Sequence, residues 1–268
     1  MNSVECLARE TKNTRNSHQK RKSQWLLFPE EKPAARIRLF CFPYAGGGAH
    51  IYFPWQAQLP DWIEVCAIQL PGRGMRFADS PYSHHQPIVE QVFDVIKDYM
   101  DKPYAIFGHS MGALLAYELA QTIAQSALAN PEHLFISGRR AMHLQSSSKA
   151  IYDLPDKELM TELRQLNGTP AEVLANQELM NLLLPVLRAD FKLCDTYEYN
   201  EQYKPLNINI TTFEGQQDHK AQGERMTAWK ELTHGNVSSV KLAGDHFFIH
   251  SQEKQLLTLL KDQLQTFL

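Results

Sequence analysis

A serine set between two glycines, Gly108-His109-Ser110-Met111-Gly112, is the first place where this sequence can do chemistry. A tight strand-to-helix turn exposes such a serine only if its flanks are small, because the serine backbone itself is strained. A serine hydroxyl is a weak nucleophile at neutral pH; it needs a base, which a carboxylate must orient. Downstream, Asp218 lies just beyond Thr211-Thr212-Phe213-Glu214-Gly215, and His246 follows Ala243-Gly244-Asp245. The order Ser110, Asp218, His246 is that of a nucleophile elbow served by two later loops. Glu214 and Asp245 are the rival acids, and Asp245 is disfavoured because neighbours in sequence seldom make the required Nδ1 hydrogen bond. Of the eleven histidines, His109 should point away from the serine. His219, His234 and His250 read as surface or local-packing residues.

Charge that develops on an attacked carbonyl oxygen needs two backbone N–H donors. Met111, just after the nucleophile, supplies one. The other is assigned to Ala45, in the glycine-rich Phe42-Pro43-Tyr44-Ala45-Gly46-Gly47-Gly48. No Gly-Lys-Ser/Thr follows those glycines, which removes a phosphate-loop reading.

Positioning these groups requires strands that end where the loops begin. Strands are expected at Arg36–Phe42, Ile63–Leu70, Tyr104–Phe107, His133–Ser137, Ile208–Glu214 and Val237–Leu242. Between them, helical periods run from Ile51 to Leu59 with an interruption near Pro54, from Pro87 to Met100, and from Gly112 to Ser126. A last helix should start near Ser251. The second of these should bury Ile88, Val92, Phe93 and Ile96. Alternating units imply an α/β class with a mostly parallel sheet and helices on both faces, the α/β-hydrolase arrangement. Residues 155–203 break the alternation with helices at Asp156–Leu166, Ala171–Ala175 and Gln177–Cys194. Leu179, Leu182, Leu183, Val186 and Leu187 form their apolar stripe, which predicts a helical lid over an apolar pocket, hinged at Asn167-Gly168-Thr169-Pro170.

A chain of 268 residues suits one such domain with an insertion. A net charge of −3 excludes a general nucleic-acid binder, and no apolar run reaches the roughly 18 residues of a membrane span. The four cysteines are scattered without a C-x-x-C, so no zinc site is expected and a reduced, cytoplasmic setting is implied. Residues 1–24 hold six cations and two acids with no apolar core. They read as a disordered or loosely packed basic extension ahead of a domain at 25–268.

Taken together, FPYAGGG at 42–48, QLPGRGMR at 69–76, GHSMG at 108–112 and GDHFF at 244–248 resemble a type II thioesterase of peptide and polyketide synthases. The stretch Leu187-Arg188-Ala189-Asp190-Phe191 is similar to that family's lid. The sequence departs from the family pattern at Gly74, where the pattern carries Glu. The resemblance implies hydrolysis of acyl groups from the 4′-phosphopantetheine arm of acyl- or peptidyl-carrier proteins. It implies no metal and no soluble cofactor. A carboxylesterase, a medium-chain fatty-acyl thioesterase or an acyltransferase would use the same triad, and a non-catalytic binding relative is the third class. Arg73 and Arg76 are the first candidates to dock an acidic carrier.

Overall fold

In the computed structural model, residues 24–146 and 149–268 are described. The basic extension expected over residues 1–24 lies outside them, apart from Gln24. Seven strands form one sheet: β1 (Leu26–Leu27), β2 (Ile37–Phe42), β3 (Ile63–Ile68), β4 (Tyr104–His109), β5 (His133–Ser137), β6 (Asn209–Gly215) and β7 (Val237–Leu242). Their order is β1-β3-β2-β4-β5-β6-β7. Only the short β1 runs antiparallel, pairing Leu26 with Ile68 at the edge. That strand was not expected, because two residues carry no alternation to read.

Every residue of β2, β3 and β4 is buried. Continuous apolar runs are what strands covered on both faces require, and successive side chains then alternate between two cores. Phe40, Phe42 and Ile106 join one core, while Leu39, Cys41, Ala105 and Phe107 join the other. Covering the sheet are the helices α1 (Phe53–Gln58), α2 (His85–Ile96), α3 (Met111–Ala124), α4 (Asp156–Leu166), α5 (Ala171–Ala175), α6 (Gln177–Asp195), α7 (Glu224–Thr227), α8 (Phe248–Ser251) and α9 (Glu253–Gln265). The first core packs α2 and α3, the second α1 and α9. Pro54 starts α1 rather than breaking it, since the missing N–H of proline costs nothing at a helix start. In α2 the inward positions include Val89 and Val95, whereas Phe93 is only half-buried.

Between β5 and β6 the described chain has α4, α5 and α6 and no strand. These three helices share a small core of their own, with Leu159, Leu163, Leu174, Met180, Leu184 and Leu187. The expected stripe on α6 is partly misplaced: Leu179 and Leu182 are exposed, and Met180 and Leu184 are buried instead. No helix among the described residues is long and apolar enough to cross a membrane.

The connection order places the site. From β2 the chain crosses to β3 on one side and then to β4 on the other, so the carboxyl ends of β2 and β4 flank a switch point. Phe42 stands in register with Gly108 there.

Candidate active site

Ser110 leaves β4 with φ 55° and ψ −112°, a conformation that side chains rarely adopt. Its two glycines are sterically required. A Cβ on Gly108 would run into the Gly112 carbonyl, and one on Gly112 into the carbonyl of Phe42. The turn thus pushes the Ser110 hydroxyl out at the head of α3.

His246 lies in the loop between β7 and α8. Its Nε2 is 2.9 Å from Ser110 Oγ, and its Nδ1 is 2.6 Å from Asp218 Oδ2. An ionised carboxylate only accepts, so Nδ1–H donates to Asp218 and the Nε2 lone pair faces the Ser110 O–H. Burial pushes the Asp218 carboxyl up, but the His246 hydrogen bond and charge and the amides of Lys220 and Ala221 outweigh it, and the net shift is downward. The three expected residues therefore come together as a relay.

The rival acids are engaged elsewhere. Glu214 accepts from the Gly223 amide at 2.7 Å and pairs with Lys241 at 2.9 Å. Asp245 accepts from Asn167 Nδ2 at 2.9 Å, tying the base loop to the turn between α4 and α5. His109 does turn away, bonding Ser137 Oγ at 2.8 Å, yet its ring lies tilted against that of His246 with centroids 5.1 Å apart. Burial holds it well below the usual histidine range, so it packs as a neutral ring. His250 meets the Tyr44 hydroxyl at 2.9 Å.

Beside the relay lie Met111, as the first residue of α3, and Ala45, in the loop after β2; both loops meet at the switch point. A helix leaves its first amides without internal acceptors, which suits Met111 to an oxyanion. The next amide in the β2 loop shows how that loop is held. Gly46 N–H donates to Asp190 Oδ2 at 2.7 Å, and Arg73 grips the same carboxylate with two bonds of 2.6 and 2.8 Å. Asp190 sits on α6 and is 1% exposed, so one buried ion pair ties α6 to the loop after β3 and holds the loop after β2 through Gly46.

Asp190 escaped the sequence reading as a functional residue. Its one signal was its place in Leu187-Arg188-Ala189-Asp190-Phe191, the stretch that resembles the family's lid. The same pair overturns the docking expectation for Arg73, which is buried. Arg76 does no better: it lies 4.0 Å above the Trp25 ring and bonds Asp79 at 2.8 Å. Gly74 has φ 54°, a conformation that disfavours the Glu of the family pattern.

Two cavities meet at Tyr44, Ala45 and Phe247. One of about 140 Å³ contains Ser110 and His246 and is lined by Ile151, Leu166 and Phe191. The other, about 550 Å³, runs between the glycine loop and residues 167–170 under α6. Among the described residues no group of histidine, cysteine and acidic side chains could hold a metal ion.

Residues 37–264 match the thioesterase domain family. The chain is 42% identical over 246 residues to the gramicidin S biosynthesis protein GrsT of Aneurinibacillus migulanus, covering 92% of this chain and 96% of that one. It is also 42% identical over 249 residues to the linear gramicidin dehydrogenase LgrE of Brevibacillus parabrevis, covering 92% and 94%. The dehydrogenase in that name belongs to LgrE; here Ile51 stands where a dinucleotide fingerprint beginning at Gly46 would need its third glycine. Among solved structures, the type II thioesterase BorB from the borrelidin biosynthetic cluster superposes with TM-score 0.83 at 33% identity, covering 90% of this chain and 98% of that one. With a matching fold, a family match across most of its length and a serine relay at the switch point, the chain belongs to the thioesterase domain family, as a thioester hydrolase of the α/β-hydrolase fold.

Proposed function

We propose that the protein hydrolyses acyl or aminoacyl groups from the 4′-phosphopantetheine arm of carrier proteins in a peptide or polyketide synthase. The observation that carries this reading is the Ser110–His246–Asp218 relay, with links of 2.9 and 2.6 Å. The arm would lie in the 550 Å³ cavity and the acyl group in the 140 Å³ one, with the thioester carbonyl between them at Ala45.

Ser110 Oγ attacks the carbonyl carbon while His246 Nε2 takes its proton. The oxyanion is held by the amides of Ala45 and Met111. The C–S bond then breaks, and the pantetheine sulfur leaves with the proton from His246. Water, deprotonated by His246, attacks the acyl-serine. Its C–O bond breaks, and the proton returns to Ser110. The reaction needs no metal and no soluble cofactor, since the pantetheine belongs to the partner. A cytoplasmic setting belongs to the same proposal, in keeping with the free thiols of Cys41, Cys66 and Cys194.

The small acyl cavity favours this reading over a medium-chain fatty-acyl thioesterase. A cavity of roughly 150 Å³ accommodates a ligand the size of benzene. Carrier proteins loaded with acetyl, aminoacyl and dodecanoyl groups test the proposal. Hydrolysis should favour the short groups and should drop by about 10⁴-fold or more in Ser110→Ala. Full activity in a folded Ser110→Ala protein, or preference for dodecanoyl, contradicts it.

A further inference from the structure

The cavity beside Ser110 holds charge that the reaction does not use. Arg139, Arg140, Lys149 and Lys220 line it, against one carboxylate, Asp195. Arg139 follows Gly138 at the end of β5 and is only 9% exposed. Its Nε has no hydrogen-bond partner, although the guanidinium also meets the Cys194 thiol and feels the charge of Asp195. The Cys194 thiol lies against it, but burial pushes that thiol up to about 11, so it supplies no counter-charge. Asp195 is the one carboxylate in this field: it is drawn to Arg139 and Lys220 and also accepts from the amides of Ile151 and Tyr152, so one negative charge faces four positive ones. Arg140 spends its Nε on the Leu144 carbonyl at 3.0 Å, while Lys149 and Lys220 stand exposed at the rim. A guanidinium withdrawn from water with a donor unpaired, in a cavity where cations outnumber the one carboxylate, is costly to keep. An anion that enters the cavity relieves that cost with strong, charge-assisted hydrogen bonds.

We propose that this cavity selects acyl groups that end in a carboxylate, seated on Arg139, with Lys220 and Lys149 drawing the anion in from the rim. The proposal rests on the thioesterase reading above. In size, a cavity of about 140 Å³ suits roughly six non-hydrogen atoms, which is a three-carbon spacer plus a carboxylate. The far carboxylate is a spectator: the bond that breaks is still the thioester C–S bond. The cations line the same cavity as Ser110 and His246, whereas the phosphate of the arm sits at the end of pantetheine remote from the sulfur. The acyl group is therefore the anion assigned here.

Glutaryl and pentanoyl thioesters have the same chain length and differ only in the terminal carboxylate. Each is offered on N-acetylcysteamine, which lacks the phosphate, and on one carrier protein, with uncatalysed hydrolysis subtracted. The wild-type kcat/KM should favour glutaryl on both, on the order of tenfold. That ratio should collapse in Arg139→Gln and fall several-fold in Lys220→Gln, whose exposed position keeps the fold intact should the arginine variant fail to fold. Added salt should weaken the lysine contribution first. Equal handling of the two acyl groups, or preference for pentanoyl, by the wild type overturns the proposal. So does an Arg139 or Lys220 effect confined to carrier substrates, which would assign the cations to the phosphate. Hydrolysis of neither thioester would instead overturn the thioesterase reading itself.

Discussion

The bond between His246 Nδ1 and Asp218 fixes which nitrogen of the base faces the serine. Asp218→Asn should therefore keep the fold but present the wrong tautomer, at a cost of about 10⁴ in kcat. Glu214→Gln and Asp245→Asn, whose partners lie elsewhere, should change kcat only a few-fold. Steady-state assays of all three with one acyl thioester check the assignment, and a crippling Glu214→Gln with a silent Asp218→Asn would reverse it. Ser110, Asp218 and His246 were legible because each follows a strand whose pattern marks where its loop begins. The Arg73–Asp190 pair was not legible: its members stand 117 residues apart, and no local period links them. Arg73 therefore looked like a free loop cation.

At the scale of elements, α6 does two jobs. Its Leu184 and Leu187 close the small core of the inserted helices, and its Asp190 anchors the loop after β2 through Gly46 N–H. Asp190→Asn should leave Arg73 buried without a counter-charge, a loss of about 3–5 kcal/mol, and lower kcat more than it raises KM. The paired change Arg73→Leu with Asp190→Leu should recover much of the stability, as apolar replacements of buried pairs often do, but not the rate. Urea unfolding and kinetics of both variants separate the roles; recovery of full turnover in the pair would remove the anchoring argument. The turn at Asn167 and Gly168 is held as well. Asn167 bonds Asp245, and a Cβ on Gly168 would strike the Phe247 ring. Amide exchange over residues 156–176 should still outpace that of β2 to β5 and slow once an acyl-phosphonate occupies Ser110. Uniform, ligand-independent protection would make these helices plain core. The phase of α6 could not be read from Gln177–Asp195 because apolar residues surround most of the helix. The inward face is set by Asp190 meeting Arg73, not by periodicity alone.

Across the whole molecule, several histidines are buried in their neutral form. Burial brings both His85 and His133 down to about 4, with the neighbouring His84 adding to the shift at His85, and burial holds His109 well below its ordinary value too. The folded values sit below the ordinary value of about 6.5, so between about pH 6.5 and 4 the unfolded chain binds more protons. This part of the stability is complete above about pH 6.5 and is lost as the pH falls toward 4. Thermal midpoints should drop steadily over that window, and His133→Gln should flatten the slope; a midpoint unchanged from pH 7 to pH 4.5 would contradict the burial argument.

The backbone of Ser110 carries a further consequence. A non-glycine residue held at φ 55° and ψ −112° costs on the order of 1–3 kcal/mol, and glycine at that position would escape most of it. Ser110→Gly should therefore yield an inactive protein that melts a few degrees higher than the wild type. A lower melting point would mean that the elbow is relaxed. A more heat-resistant version of this fold is then one without its nucleophile, and the elbow's strain is stability given up for turnover.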